Sequence, residues 1–158
     1  MADKTHHYEV SLEWTGDRGS GTSGYASYDR AHVLSAPGRP DISGSSDPHF
    51  RGDPARWNPE QLLLASLSAC HQLWYLHLCS VNRVTVLAYR DRATGDMAEH
   101  ADGSGEFVRV VLRPEVTIAG GCDTDTALRL HHEAARLCFV ARSINFPVVH
   151  EPSVSIAG

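Results

Sequence analysis

Two apolar, helix-patterned segments, each carrying a cysteine and separated by a strand-rich stretch, constrain this chain more than any other feature. The first opens at Asn58-Pro59-Glu60-Gln61 and continues through Leu62-Leu63-Leu64-Ala65-Ser66-Leu67-Ser68-Ala69-Cys70-His71. Asn58 is a good N-cap, Pro59 suits the first helical position, and Gln61 can reach back to the cap as in a capping box. Leu63, Leu67, Cys70, Trp74 and His77 recur at spacings of three and four, which puts Cys70 in the middle of one helix face. Leu62, Leu64, Leu73 and Leu76 make the other faces apolar too, so the pattern predicts a central helix buried all round.

The second segment runs from Asp125 through Leu128, Leu130, His131, Ala134, Ala135, Cys138 and Phe139 and stops before Asn145-Phe146-Pro147. Proline disfavours helix in the residue before it, which sets that limit. Leu130, Ala134 and Cys138 share a face, so this cysteine also reads as lying inside a helix. The layout points to a thiol pair, Cys70 and Cys138, brought together by folding. Spacing alone does not establish the roughly 7 Å between Cα atoms that a disulfide requires.

The rest of the chain reads as strands. Tyr8, Val10, Leu12 and Trp14 alternate with polar residues, which predicts a half-buried strand. Gly16 to Gly21 supplies turn chemistry, with Tyr25 to Arg30 as the antiparallel return. From Ala36 to Trp57 the chain is rich in Gly, Pro, Ser and Asp but studded with Arg39, His49, Phe50, Arg51, Arg56 and Trp57, which predicts an ordered loop. Arg83 to Thr94, Glu106 to Ile118 and Val148 to Ile156 are three further strand-like runs, the last with Pro152 at an edge or bulge. Hairpins without regular βαβ alternation predict an α+β fold with mainly antiparallel sheets and two long central helices.

A length of 158 residues with no break in composition fits a single domain over residues 1–158. With 14 Lys+Arg against 19 Asp+Glu the net charge is −5, and no basic stripe offers phosphates a footprint, which speaks against a nucleic-acid partner. The polar N-terminal segment Met1 to His7 resembles neither a signal peptide nor a membrane span, so the expected compartment is the cytoplasm. In a reducing compartment the four cysteines are expected to be free, catalytic or metal-bound rather than a structural framework.

Ser66, Ser68, His71 and His77 surround Cys70 in sequence, and a reactive thiolate needs a nearby cation or strong donors. His77 and His131 each lie seven residues from a cysteine, which raises a zinc site of Cys70, His77, His131 and Cys138. Two helical turns separate each such pair by roughly 10.5 Å of rise, too far for ligands of one tetrahedral zinc at ~2.0–2.3 Å. His71 and His131 retain two readings, tuning of a thiolate or, in preference, a packed or hydrogen-bonded role. Cys79 and Cys122 read as incidental, and Trp57, Trp74, Tyr75 and Phe139 either wall an apolar pocket or belong to the core.

Asn58-Pro59-Glu60-Gln61-Leu62, Ser66-Leu67-Ser68-Ala69-Cys70 and the distant Leu137-Cys138 together resemble the OsmC/Ohr superfamily of thiol peroxidases, on the OsmC-like side. The resemblance implies reduction of organic hydroperoxides in an intertwined homodimer that works without a cofactor or metal. It implies Cys70 as the attacking thiolate, Cys138 as the resolving thiol and a lipoyl-like dithiol as reductant. It further implies assistance from a glutamate, matched by Glu60, and from an arginine. Arg51 in the loop before Asn58 is favoured for that role, with Arg18, Arg30 and Arg56 as alternatives. Ten residues of straight helix amount to roughly 15 Å, so Glu60 would serve Cys70 only through a bridging arginine or from a second chain. The competing reading is a non-enzymatic, redox-responsive or small-ligand-binding protein of the same fold.

Overall fold

A computed structural model describes residues 4–158, so the first three residues of the N-terminal segment lie outside it. The chain divides into two compact units, one ending at Leu62 and the other running from Leu63 to Gly158.

The first unit carries β1 (Ser11–Trp14), β2 (His32–Ser35) and β3 (Ile42–Gly44) in one antiparallel sheet in that order. The hairpin exists, but its return strand pairs Trp14 with His32. Tyr25 to Arg30, read from the sequence as the return, instead forms turns, in which the Arg30 guanidinium stacks 4.5 Å from the Tyr25 ring and 4.1 Å from that of Tyr28. All four residues of β1 are exposed, where the alternation had predicted a half-buried strand. The Ala36–Trp57 stretch is ordered and holds more structure than expected. It contains β3, a 3-10 turn at Pro48–Phe50, and a bridge from Gly44 to Trp57.

α1 (Pro59–Val81) starts where the capping signature places it. The Gln61 N–H donates to Asn58 Oδ1 at 2.8 Å, and the Asn58 N–H donates to Gln61 Oε1 at 3.3 Å, a reciprocal box. The helix closes through Arg83 in the left-handed region (φ 61°), with the Val84 N–H donating to the Cys79 carbonyl at 2.9 Å.

In the second unit β4 (Val86–Asp91), β5 (Thr94–Glu99), β6 (Gly105–Leu112) and β7 (Pro114–Ile118) precede α2 (Thr124–Leu137), which is followed by β8 (Val148–His150) and β9 (Ser153–Ile156). They form two sheets, ordered β4-β7-β9 and β5-β6-β8; the first pair in each is antiparallel and the second parallel. Glu106 to Ile118, read as one run, is two strands broken at Arg113, and Val148 to Ile156 is two strands flanking Pro152. β5 went unpredicted, because Thr-Gly-Asp-Met-Ala-Glu has little strand propensity and is held in a strand by pairing with β6.

Two apolar clusters fill this unit. Tyr75, Cys79 and Val84 pack with Val116, Ile118, Ala127, Leu130 and Ala134 in one, and Leu67 with Val110 and Leu112 in the other. The buried row of α1 is Leu67, His71, Tyr75 and Cys79; of the face Leu63, Leu67, Cys70, Trp74 and His77 only Leu67 is fully buried, and Leu73 is 66% exposed, so the helix is not buried all round. No helix among the described residues is long and apolar enough to cross a membrane.

Asn58 is 6% exposed and caps α1, so Asn58→Ala should lower unfolding free energy by about 1–2 kcal/mol and Asn58→Gly by only a few tenths. Denaturant unfolding of the three proteins checks this; equal midpoints would remove the cap's contribution.

Candidate functional site

Cys70 sits on α1 beside the buried row and is half-buried, whereas Cys138 is 1% exposed. The sequence had placed Cys138 inside the second helix. It is instead the residue that ends α2, with extended backbone (φ −63°, ψ 113°), its N–H still donating to the Ala134 carbonyl at 2.9 Å. The break turns the side chain inward, and the Ala141 N–H donates to its sulfur at 3.4 Å. The Cys70 thiol neighbours the Cys138 thiol closely enough to raise its pKa, and all four cysteines are free. Burial pushes the Cys138 thiol up to about 11, the neighbouring Cys70 thiol adds to the rise, and the backbone N–H groups of Ala141 and Val140 oppose it.

The polar neighbours that the sequence grouped around Cys70 are engaged elsewhere. Ser66 Oγ donates to the Leu63 carbonyl of its own helix at 2.7 Å, and Ser68 Oγ donates to Asp91 Oδ2 on β4. His77 is exposed, its ring 5.9 Å from that of Trp74. Trp74 in turn meets Phe139 edge-on at 5.4 Å, so one aromatic pair flanks the cysteines, while Tyr75 belongs wholly to the core.

His71 and His131 form the polar centre of the unit. Their Nε2 and Nδ1 atoms are 3.0 Å apart, both residues are 0–1% exposed, and His131 stacks on Tyr75 with centroids 3.8 Å apart at 11°. His150 from β8 closes on His71 at 4.5 Å. One N–H bridges the pair, which leaves His71 Nδ1 and His131 Nε2 buried without a hydrogen-bond partner among the described residues. Burial, followed by the neighbouring imidazoles of His150 and His131, lowers His71 to about 3. Burial again, followed by His150 and His132, lowers His131 to about 4. His150 is lowered as well, chiefly by burial, with the Asp91 carboxylate opposing. Among the described residues no group of three or more His, Cys, Asp or Glu is placed to hold a metal ion. Sequence reading had not singled out His150; its only signal is a histidine after two valines in a short terminal strand.

Glu60 and Arg51 lie in the first unit. Glu60 occupies the first turn of α1, with Oε2 buried and without a hydrogen-bond partner among the described residues. Arg51 adopts φ 63°, a left-handed conformation that costs a non-glycine residue about 1 kcal/mol or more. The next residue must be glycine, because a Cβ on Gly52 would lie 1.6 Å from the Ser46 carbonyl oxygen. The other arginines have partners. Arg18 donates to the Ala26 carbonyl and lies 3.7 Å from Asp29, Arg30 donates to the Tyr28 and Tyr25 carbonyls at 2.7 and 2.8 Å, and Arg56 lies 3.6 Å from Asp53. Arg51 has no carboxylate within 4.0 Å among the described residues; its guanidinium lies 6.0 Å from the Tyr25 ring. A cavity of about 670 Å³ within this unit is lined by Arg30, Arg51 and Arg56 together with Asp29, Asp53 and Ser45.

Fold and site together define an α+β protein with one free thiol on its first long helix and a neighbouring one at the end of its second. The chain matches the OsmC-like protein family over residues 52–153, and it belongs to that family. It is similar to the structure of an OsmC-like protein of unknown function from Vibrio cholerae, with 29% identity, 94% of this chain and 100% of that one covered, and a TM-score of 0.84. It shares its fold with an organic hydroperoxide resistance protein OsmC from Legionella pneumophila (16% identity, 97% and 99% covered, TM-score 0.68). The fold also recurs in the organic hydroperoxide resistance protein OhrB of Bacillus subtilis (17% identity, 93% and 96% covered, TM-score 0.62). Among curated proteins none matches.

Because the folded pKa values of His71 and His131 lie below the ordinary value of 6.5, the unfolded chain binds more protons than the folded one at acid pH. Their contribution is fully present above pH 6.5 and is lost as pH falls from there towards 4, at up to about 1.4 kcal/mol per pH unit for each proton taken up. Urea unfolding from pH 7 to pH 4 should show this acid loss, reduced in His131→Phe; an unchanged slope in that variant would contradict it.

Proposed function

We propose that this protein is a thiol peroxidase that reduces organic hydroperoxides through Cys70 and Cys138. The observation that carries the reading is the adjacency of two free thiols, one half-buried and one buried, where α2 ends beside α1. Membership of the OsmC-like family and fold-level likeness to organic hydroperoxide resistance proteins support it.

The Cys70 thiolate attacks the outer oxygen of the hydroperoxide. The O–O bond breaks, the hydroxyl stays on sulfur so that Cys70 becomes a sulfenic acid, and the departing alkoxide takes up the proton that the Cys70 thiol released on ionising and leaves as the alcohol. Cys138 then attacks the Cys70 sulfur, the S–O bond breaks, and water departs with the Cys138 proton. An external dithiol, lipoyl-like in character, reduces the resulting disulfide by exchange and leaves as its own disulfide. Arg51 is assigned to favour the thiolate, since its guanidinium has no carboxylate partner among the described residues. Glu60 is assigned to orient that guanidinium; its unpartnered buried oxygen suits the role. Ten residues of α1 keep Glu60 roughly 15 Å along the helix from Cys70 of the same chain. We assign a homodimer on the exposed apolar row Tyr8, Val10, Leu12 and Trp14, which is 42–83% exposed, and on Leu73 and Phe139. The assigned setting is the cytoplasm, where dithiol reductants keep such a pair cycling.

The test is steady-state consumption of cumene hydroperoxide with dihydrolipoate. Wild type should turn over many times, Cys70→Ser should not turn over, and Cys138→Ser should oxidise once and stall. Stoichiometric oxidation without turnover in wild type would favour a redox-responsive binding protein instead. In the same assay Arg51→Ala should lower kcat/KM by about tenfold or more, equivalent to about 1.4 kcal/mol of transition-state stabilisation, and wild-type kinetics in that variant would reassign the arginine.

A further inference from the structure

We propose that the buried His71–His131 hydrogen bond is a positioning element for the Cys70–Cys138 dithiol, so that breaking it uncouples the two sulfurs. The proposal rests on the peroxidase reading for the reaction it serves, but its geometry is independent of any peroxide. His71 directly follows Cys70 on α1, and His131 lies two turns before Cys138 on α2. Two polar bonds link these helices: the imidazole pair at 3.0 Å, and Tyr75 Oη donating to the Ala127 carbonyl at 3.1 Å. Apolar packing tolerates small sliding, whereas a hydrogen bond between two planar rings fixes both spacing and rotation. Cys138 is the residue at which the backbone of α2 turns extended, its N–H making the last bond of the helix ladder, so it takes its place from where α2 ends. A shift of the seam therefore moves Cys138 relative to Cys70.

The seam is also sensitive to protons. The groups facing the pair are Tyr75 from α1, His132 from α2 and His150 from β8; behind them Tyr89 of β4 meets Tyr75, and Asp91 of β4 acts on His150. Asp91 is the only acid among them, and its oxygens already accept from Ser68 Oγ and from the Arg113 N–H, the latter at 2.7 Å. A proton added to the pair is thus a buried charge with no carboxylate in contact, and opening the helices relieves it. Acid should weaken the dithiol coupling. Ionisation of an attacking thiol has the opposite sign, because it stabilises the reduced form as pH rises.

The experiment equilibrates the full-length protein with oxidised and reduced dithiothreitol between pH 4 and pH 8, trapping thiols by acid quench and alkylation and counting the Cys70–Cys138 disulfide by mass spectrometry. The two cysteines lose two electrons and two protons to oxidised dithiothreitol, which becomes its dithiol. In wild type the equilibrium constant for disulfide formation should fall on acidification, by up to about tenfold per pH unit for each proton taken up. His131→Phe fills the ring space without a nitrogen and should lower the constant at pH 7 by about tenfold, or about 1.4 kcal/mol. Because that variant can fail to fold, the deciding protein is the double variant His71→Gln/His131→Asn. It sets amide groups where Nε2 and Nδ1 stood, restoring a bond that cannot titrate, and should recover coupling and flatten the acid limb. An acid limb that persists in the double variant, or a folded His131→Phe with wild-type coupling, overturns the positioning role alone. A wild type that forms no Cys70–Cys138 disulfide at any pH overturns both this role and the peroxidase reading.

Discussion

Two imidazoles buried at 0–1% exposure, with no carboxylate touching them among the described residues, are the constraint around which the C-terminal unit is arranged. Removing such groups from water costs several kcal/mol if they keep a charge, so they stay neutral and share a hydrogen bond. One bond between two rings satisfies only two of four ring nitrogens. The flat face of Tyr75 against His131 and the His150 ring against His71 supply contact area but no partner for the remaining two. A leucine pair at the same crossing would bury apolar surface without that penalty. The seam is thus held at one geometry by directional bonds, at the expense of tolerance to acid.

From that seam the positions of the thiols follow. Contacts between α1 and α2 run in opposite directions along the two helices: His71 meets His131, Tyr75 meets Ala127, and the start of this row brings Cys70 towards the end of α2. A fully helical Cys138 would continue the α2 ladder. The extended backbone of Cys138, just past Leu137, lets the sulfur turn in and accept from the Ala141 N–H, an arrangement that the end of a helix provides.

The sequence disclosed the parts of this design that depend on local chemistry and concealed those set by tertiary choice. Asn58 and Gln61 mark the start of α1 because a capping box is a property of four residues. With Leu62, Leu63, Leu64, Leu73 and Leu76 spread around the helix, periodicity could not say which row is buried. Tertiary packing chose Leu67, His71, Tyr75 and Cys79, and left Leu73 outside. β3 and β5 were illegible for a related reason: Ile42-Ser-Gly and Thr94-Gly-Asp-Met-Ala-Glu become strands through their partners, not through their own propensity. Cys138 was recognised as a candidate but misplaced within its helix, since nothing in Leu137-Cys138-Phe139 signals a stop; the proline that does lies nine residues further on. Arg51 is the opposite case. Its candidacy came from the family resemblance, which expects an arginine in the loop before the helix, and the strain that distinguishes it is visible only in the backbone.

The asymmetry of the two thiols explains why geometry matters so much at this site. A thiol held near 11 is ionised to only about one part in ten thousand at pH 7, so Cys138 is a poor free nucleophile. Well-oriented intramolecular reactions reach effective molarities of about 10⁵–10⁸ M, more than enough to offset that deficit, but only while the reacting atoms keep near-contact geometry. Burial therefore serves resolution in one way and hinders it in another. It protects Cys138 from stray oxidants and from external thiols, yet it makes disulfide formation dependent on the α1–α2 spacing. A loosened seam would leave Cys70 able to meet an oxidant while Cys138 lost its advantage, and the sulfenic acid would persist long enough for further oxidation. The rigid polar crossing between His71 and His131 is the feature of this chain best suited to prevent that.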